Sequence, residues 1–153
     1  MSGKIFVGIG IDYEKMKIIH ENPPDKLLNA IINNGMHPHS LVIYTYGDTI
    51  YNPSGTDIPD HLLIHEETHC EQQGNDPKGW WIRYLIDQYF RIEQETEAYT
   101  RQFAYICTTV KDRNQRHRIC LDLAKILAGP IYGNVIGQMN VYQKIKSLSK
   151  VKP

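Results

Sequence analysis

Cysteine is scarce in this chain and poorly spaced for a framework. Cys70, Cys107 and Cys120 are odd in number and form no C-x-x-C pair. That argues against a disulfide scaffold and for a reducing compartment. Long apolar runs are missing as well, and none approaches the roughly 20 residues that cross a bilayer. The first ten residues hold one lysine and the short run Ile5-Phe6-Val7. Without a charged leader, an extended apolar stretch or a cleavage site they do not read as a signal peptide. A cytoplasmic protein without a membrane partner is therefore expected. An excess of either charge is also absent, with 17 Lys and Arg against 17 Asp and Glu. A balanced total gives no general electrostatic case for a nucleic-acid partner. No internal repeat or low-complexity segment is present.

What remains is ordinary globular usage. A chain of 153 residues that is 41% hydrophobic and 22% charged suits one domain over residues 1–153 rather than a disordered segment. Ile5 to Ile11 reads as a short strand, and its Gly8-Ile9-Gly10 does not extend into a dinucleotide fingerprint. Pro23-Pro24-Asp25 opens a helix to Asn33, with Leu27, Leu28, Ile31 and Ile32 on its apolar face and Gly35 after its end. Leu41 to Tyr46 and Thr49 to Tyr51 read as strands of a hairpin turned at Gly47-Asp48. From Pro59 the pattern is helical: Pro59 to Gln73, Trp80 to Phe90, Arg91 to Val110, Asn114 to Ala128 and Ile131 to Ser147. The lysine-rich end, about 144–153, reads as a solvated tail. The expected class is α+β: a small N-terminal sheet followed by a helical body.

The chemistry is concentrated in His65-Glu66-Glu67-Thr68-His69. Histidines four apart on a helix lie about 40° apart in azimuth and one turn apart in height, with Cβ atoms roughly 5–6 Å from each other. Both imidazoles can then converge on one Zn²⁺. Glu66 follows the first ligand and reaches the side where water would bind. There it can take a proton from that water and return it to a leaving amine, which is why the order H-E-x-x-H carries hydrolytic chemistry. Chance places such a pattern in a chain of this size about once in a hundred or less. His61 extends the row to i, i+4, i+8. The outer pair then lies about 12 Å apart along the axis, too far to share one ion, so His61 reads as a rim or supporting residue. Cys70, about 100° around the helix from His69, reads as a core thiol.

A catalytic zinc site needs a third protein ligand and one open position. Glu93, Glu95 and Glu97 lie on the helix that follows. Glu95 shares a face with Ile92 and Tyr99, and a carboxylate on a buried face is costly unless it is paired or metal-bound. Glu95 is the expected third ligand and Glu97 the alternative. Among the tyrosines, Tyr84, Tyr89, Tyr99 and Tyr132 are the candidates to stabilise an oxyanion.

His65 to His69 followed by Glu95-Thr96-Glu97-Ala98 resembles the gluzincin pattern of zinc metallopeptidases. In CAAX-type and IrrE-type enzymes the ligand glutamate stands three residues before the alanine, which also selects Glu95. The stretch from His61 to Phe103, with Gln72-Gln73 after the motif, is similar to small bacterial and phage proteins of metallopeptidase type. The resemblance implies a minimal zincin-like fold, one Zn²⁺, a peptide or protein substrate bound along an edge strand, and a phage or prophage origin. The strand is Leu41 to Tyr46 or Thr49 to Tyr51. One departure stands out: these families often place Asp or Asn four residues after the ligand glutamate, to orient a histidine, and here Tyr99 stands there. Two other readings remain open at this level: a zincin fold kept as a binding or structural protein, with His61 or Cys70 closing the metal site, and a metal-free helical protein.

Overall fold

The computed structural model describes residues 14–38 and 41–150. The strand expected at Ile5 to Ile11, with its glycines, lies outside them. Among the described residues the fold is α+β, with one small sheet on the N-terminal side and six α-helices. The strands are β1 (Lys17–Ile19), β2 (Tyr44–Tyr46) and β3 (Thr49–Tyr51), in the order β1-β3-β2. β3 is central: it runs parallel to β1, with Ile18 opposite Ile50, and antiparallel to β2, with Thr45 opposite Ile50. The hairpin turns at Gly47-Asp48, where Gly47 has φ of 63°, the sign that a tight two-residue turn favours at its first central position. Among the described strands β2 therefore lies at an edge, whereas Thr49 to Tyr51 lies between two partners. β1 escapes a sequence reading because three residues are too few for a period to show.

Helix α1 (Asp25–Asn33) buries Leu27 and Ile31 against Trp80, Tyr84 and Leu85. Helix α2 (Asp60–Gln73) follows Pro59 and ends at Gly74. It lacks the usual two faces: every residue from Leu63 to His69 is buried. A helix enclosed on all sides is normally apolar throughout. This one encloses His65, Glu66, Glu67, Thr68 and His69, so their polar atoms must be matched by neighbours.

Helix α3 (Pro77–Ile86) and helix α4 (Gln88–Thr109) meet at Asp87, earlier than the break expected near Phe90. The reason is capping: the Asp87 carboxylate accepts from the backbone N–H of Tyr89 and Phe90 at 3.1 and 3.0 Å, closing the first turn of α4. Arg91 reaches back to donate to the carbonyls of Tyr84 and Leu85, which fixes the corner.

At about 33 Å, α4 is long enough to serve two neighbourhoods. One side of α4 meets α2 along both halves, through Glu95, Arg101 and Gln102, and another packs on helix α5 (Arg113–Leu127) and helix α6 (Gln138–Leu148) through Ile92, Phe103 and Ile106. The last helix begins later than expected, because Pro130–Tyr132 forms a single 3₁₀ turn ending at Gly133, with φ of 85°. Of the lysine-rich end, Lys144 to Leu148 are helical. Helix α6 continues to Leu148 because Val141 and Ile145 are fully buried against α4 and α5. No helix among the described residues is long and apolar enough to cross a membrane.

Candidate metal centre

Helix α2 supplies His65 and His69 on one face, and α4 supplies Glu95 opposite them. The two Nε2 atoms lie 3.2 Å apart. Glu95 presents one oxygen to each ring, Oε2 at 3.1 Å from His65 Nε2 and Oε1 at 3.4 Å from His69 Nε2. All three residues are buried, and they are the group of potential ligands found among the described residues. Glu97 is exposed and accepts from Gln72 Nε2 at 3.0 Å, so it stands outside the cluster.

The proton positions decide what this cluster can hold. Gln72 Nε2 donates to Gln94 O and to the Glu97 carboxylate, both acceptors. That fixes its amide, so its Oε1, 2.8 Å from His69 Nδ1, must accept the ring proton. On the other ring, Gln102 Oε1 stands 3.0 Å from His65 Nδ1, while Gln102 Nε2 donates to His61 Nδ1 at 2.9 Å. With both ring protons on Nδ1, both Nε2 atoms turn lone pairs toward the carboxylate. Glu95 Oε1 accepts a hydrogen bond from the Tyr84 hydroxyl at 2.6 Å, whereas Oε2 is buried with no hydrogen-bond partner despite its closeness to His65. With both rings neutral, three acceptors converge on one point, and a buried carboxylate so placed needs a cation or a shared proton beside it.

The spacing fits one. An ion held tetrahedrally by bonds of about 2.0–2.1 Å sets its ligand atoms about 3.3 Å apart, close to the separations between these three side chains. The group can therefore hold a metal ion. Without one, a proton must serve. Burial opposes protonation of His69, but the Glu95 carboxylate beside it outweighs this and lifts the imidazole to about 9. Burial likewise opposes charge on Glu95, while the two histidines hold it well below the usual carboxylate range.

Glu66 lies on the α2 face toward β2 and accepts the Thr45 hydroxyl proton at Oε2, at 2.6 Å. Glu66 and the three cluster residues line one cleft of about 650 Å³. Its lining is largely apolar and includes Met36, Val42, Trp80 and Trp81, which pack in one cluster, together with Ile131 and Tyr132. Gln73, next to Gln72, ties the wall to the floor. It donates to Thr45 O at 2.8 Å and accepts from Gly47 N at 2.7 Å, pinning the hairpin to the motif helix.

The remaining expectations sort by position. His61 is half-buried and reaches the site only through Gln102. Cys70 is half-buried against the Met16, Ile50 and Leu63 cluster, and burial pushes its thiol up to about 12. Neither belongs to the potential ligand group. Tyr99 does not orient a histidine by hydrogen bonding. Its ring packs edge-on against His65, and its hydroxyl meets that of Tyr132 at 3.4 Å. Tyr84 is committed to Glu95, and Tyr89 is 67% exposed and does not line the cleft. The glutamine supports were missed. Gln102 stands seven residues after Glu95, two turns along the same α4 stripe, and Gln72 three after His69 on α2; spacing alone could have proposed both. Comparison with protein-family models, with curated proteins and with solved structures finds no match to this chain.

Proposed function

We propose that the protein is a zinc-dependent peptidase in which His65, His69 and Glu95 hold the ion and Glu66 is general base and acid. The observation that carries this reading is the convergence of three buried acceptors, each ring oriented by a glutamine, beside a second carboxylate, Glu66, in a substrate-sized cleft. Bound there, zinc supplies Lewis acidity and makes a water nucleophilic near neutral pH. The chain's own groups do the rest. Thr45 holds Glu66 Oε2, and Glu66 Oε1 takes the proton of the attacking water and passes it to the departing amine. Tyr132 lines the cleft with its hydroxyl 3.4 Å from that of Tyr99, and burial raises it well above its ordinary range, so it keeps a proton to donate to a developing oxyanion.

The substrate is an extended peptide laid along β2. Thr45 O already accepts from Gln73 and Trp81, so pairing falls to residues 42–44. The apolar walls favour a bulky hydrophobic side chain next to the cleaved bond.

The test is metal analysis combined with hydrolysis of an unstructured protein by wild type and Glu66→Gln. The wild type should carry one equivalent of zinc and lose activity to a chelator. Glu66→Gln should keep the zinc and the melting temperature while turnover falls about 10²- to 10⁴-fold. Undiminished hydrolysis by that variant removes Glu66 from the reaction. A full zinc complement with no hydrolysis by wild type leaves a binding protein that keeps a zincin site. Failure to take up zinc at all leaves a protonated His69–Glu95 pair.

A further inference from the structure

The balanced charge of the chain is a sum of two opposite regions. Residues 1–110 carry eight Lys and Arg against fifteen Asp and Glu, and residues 111–153 carry nine against two. Net charges of about −7 and +7 on adjoining segments are the asymmetry that a whole-chain total hides. The structure gathers much of the positive part into one place. A second groove, of about 870 Å³, opens where the end of α4 meets the start of α5 and the end of α6. Lys111, Arg113, Arg116, His117, Lys146 and Lys150 line it, and no Asp or Glu does.

These cations are arranged rather than scattered. Arg116 donates to the carbonyls of Val110 and Lys111 at 2.9 and 2.8 Å, and Lys111 to Thr108 O at 3.1 Å, which holds both against the end of α4. His117 Nδ1 meets the Tyr142 hydroxyl at 2.9 Å and ties the α5 wall to the α6 wall. The nearest acid in sequence, Asp112, is turned into the cap of α5, accepting from the N–H of Asn114 and Gln115. Among the described residues no ion pair engages Lys111, Arg113, Arg116, Lys146 or Lys150. Five permanent positive charges around one groove, with the capped Asp112 carboxylate as the nearby counter-charge to Arg116, leave an excess that repels itself, and an anion relieves that repulsion.

We propose that this groove binds a single strand of nucleic acid through its phosphodiester backbone. Concavity favours a strand over a bilayer surface, because cations on two facing walls can embrace a chain but cannot all meet a plane. Exposed guanidinium planes at Arg113 and the exposed His117 ring also offer faces on which bases stack, which an acidic peptide would leave unused. The expectation of no nucleic-acid partner, drawn from the total charge, is replaced by one local to α5 and α6. The site is separate from the metal centre, and its test does not depend on hydrolysis.

Fluorescence anisotropy of a labelled single-stranded oligonucleotide of mixed sequence, titrated with the full zinc-treated chain, decides it. Neutralising three to five phosphates predicts a log–log salt slope of about −2 to −3.5, so affinity should fall roughly 20- to 100-fold between about 50 and 200 mM salt. The double variant Arg113→Glu with Lys146→Glu should bind at least about tenfold more weakly at the lower salt. Lys26→Glu, on exposed α1, should bind like wild type. Lys111→Gln with Lys150→Gln guards against a folding artefact and should also weaken binding and flatten the slope. No binding at low salt, equal loss in Lys26→Glu, or capture by phosphatidylserine vesicles or polyglutamate with none by the oligonucleotide would overturn the proposal.

Discussion

The two sides of α4 face regions built on opposite principles. On the side of α2, the buried residues include His65, Glu66, Glu67, Thr68, His69, Gln73, Arg91, Glu95 and Gln102. On the other side, α5 and α6 bury only Cys120, Leu123, Ala124, Leu127, Val141, Tyr142 and Ile145. The first region spends burial on polar atoms that must be matched one by one, and each match constrains geometry. The second is close-packed apolar volume, which stabilises without specifying chemistry. The surface is divided in the opposite sense, since the apolar region carries the positive charge. The polar network holds its shape because the same helix that contributes Glu95 and Gln102 is clamped on its other side by an apolar core.

The largest expected effect is a test of that division. Leu127 is fully buried in the apolar region. Leu127→Ala should lower unfolding free energy by about 2–5 kcal/mol in urea titrations while leaving zinc affinity unchanged. A parallel drop in affinity would show that the α5–α6 core tunes the metal centre rather than only supporting α4. Next in size is the polar region itself. Gln102→Leu keeps volume but removes the acceptor for His65 Nδ1–H, and should weaken zinc binding about 10- to 100-fold with little loss of stability. If competition titrations show no change, the ring is held by packing against Tyr99 alone.

Legibility followed the same division. The meeting of His65, His69 and Glu95 in one group could be read because helical spacing fixes where their side chains go, and because a carboxylate among Ile92 and Tyr99 is anomalous. Their supports could not be read as easily. An orienting group was sought four residues after Glu95, yet a side chain as long as glutamine reaches His65 from seven residues on. The class of fold was legible, and so were α1, α2 and the hairpin, whose stops are glycines. The α3–α4 break was displaced because Asp87 resembles any surface acid until its cap is seen. β1 was invisible because its partner strand lies about thirty residues away. The charge division was present in the sequence and lost by summing over it.

Protons and metal compete for the same nitrogen, which gives an effect of about one decade per pH unit. His69 is lifted to about 9 in the metal-free fold, above its ordinary value near 6.5. Its raised value means the ion pair with Glu95 contributes stability fully below about pH 6.5, and that contribution is lost as pH rises through about 9. Metal binding must expel that proton, so apparent zinc affinity should rise about tenfold per pH unit from 7 to 9 and then level off. Buffered-metal titrations at several pH values measure the slope. A flat profile across this interval would mean that His69 is neutral before metal arrives, and that the polar region is preorganised for the ion rather than for a proton.

The smallest effect concerns how far the polar region extends. His61 is outside the ligand group, and its Nδ1 accepts from Gln102 Nε2 at 2.9 Å. Removing that acceptor in His61→Ala leaves Gln102 free to rotate, and a rotated amide would present N–H to His65 in place of its carbonyl. A neutral hydrogen bond contributes about 0.5–1.5 kcal/mol net, so zinc affinity should fall about 2- to 12-fold, less than for Gln102→Leu. The double variant separates a relay from two independent contacts. If His61 acts only by orienting Gln102, then His61→Ala should have no further effect once Gln102 is leucine. Additive losses would instead mean that His61 supports α2 directly, and the polar network would end at Gln102.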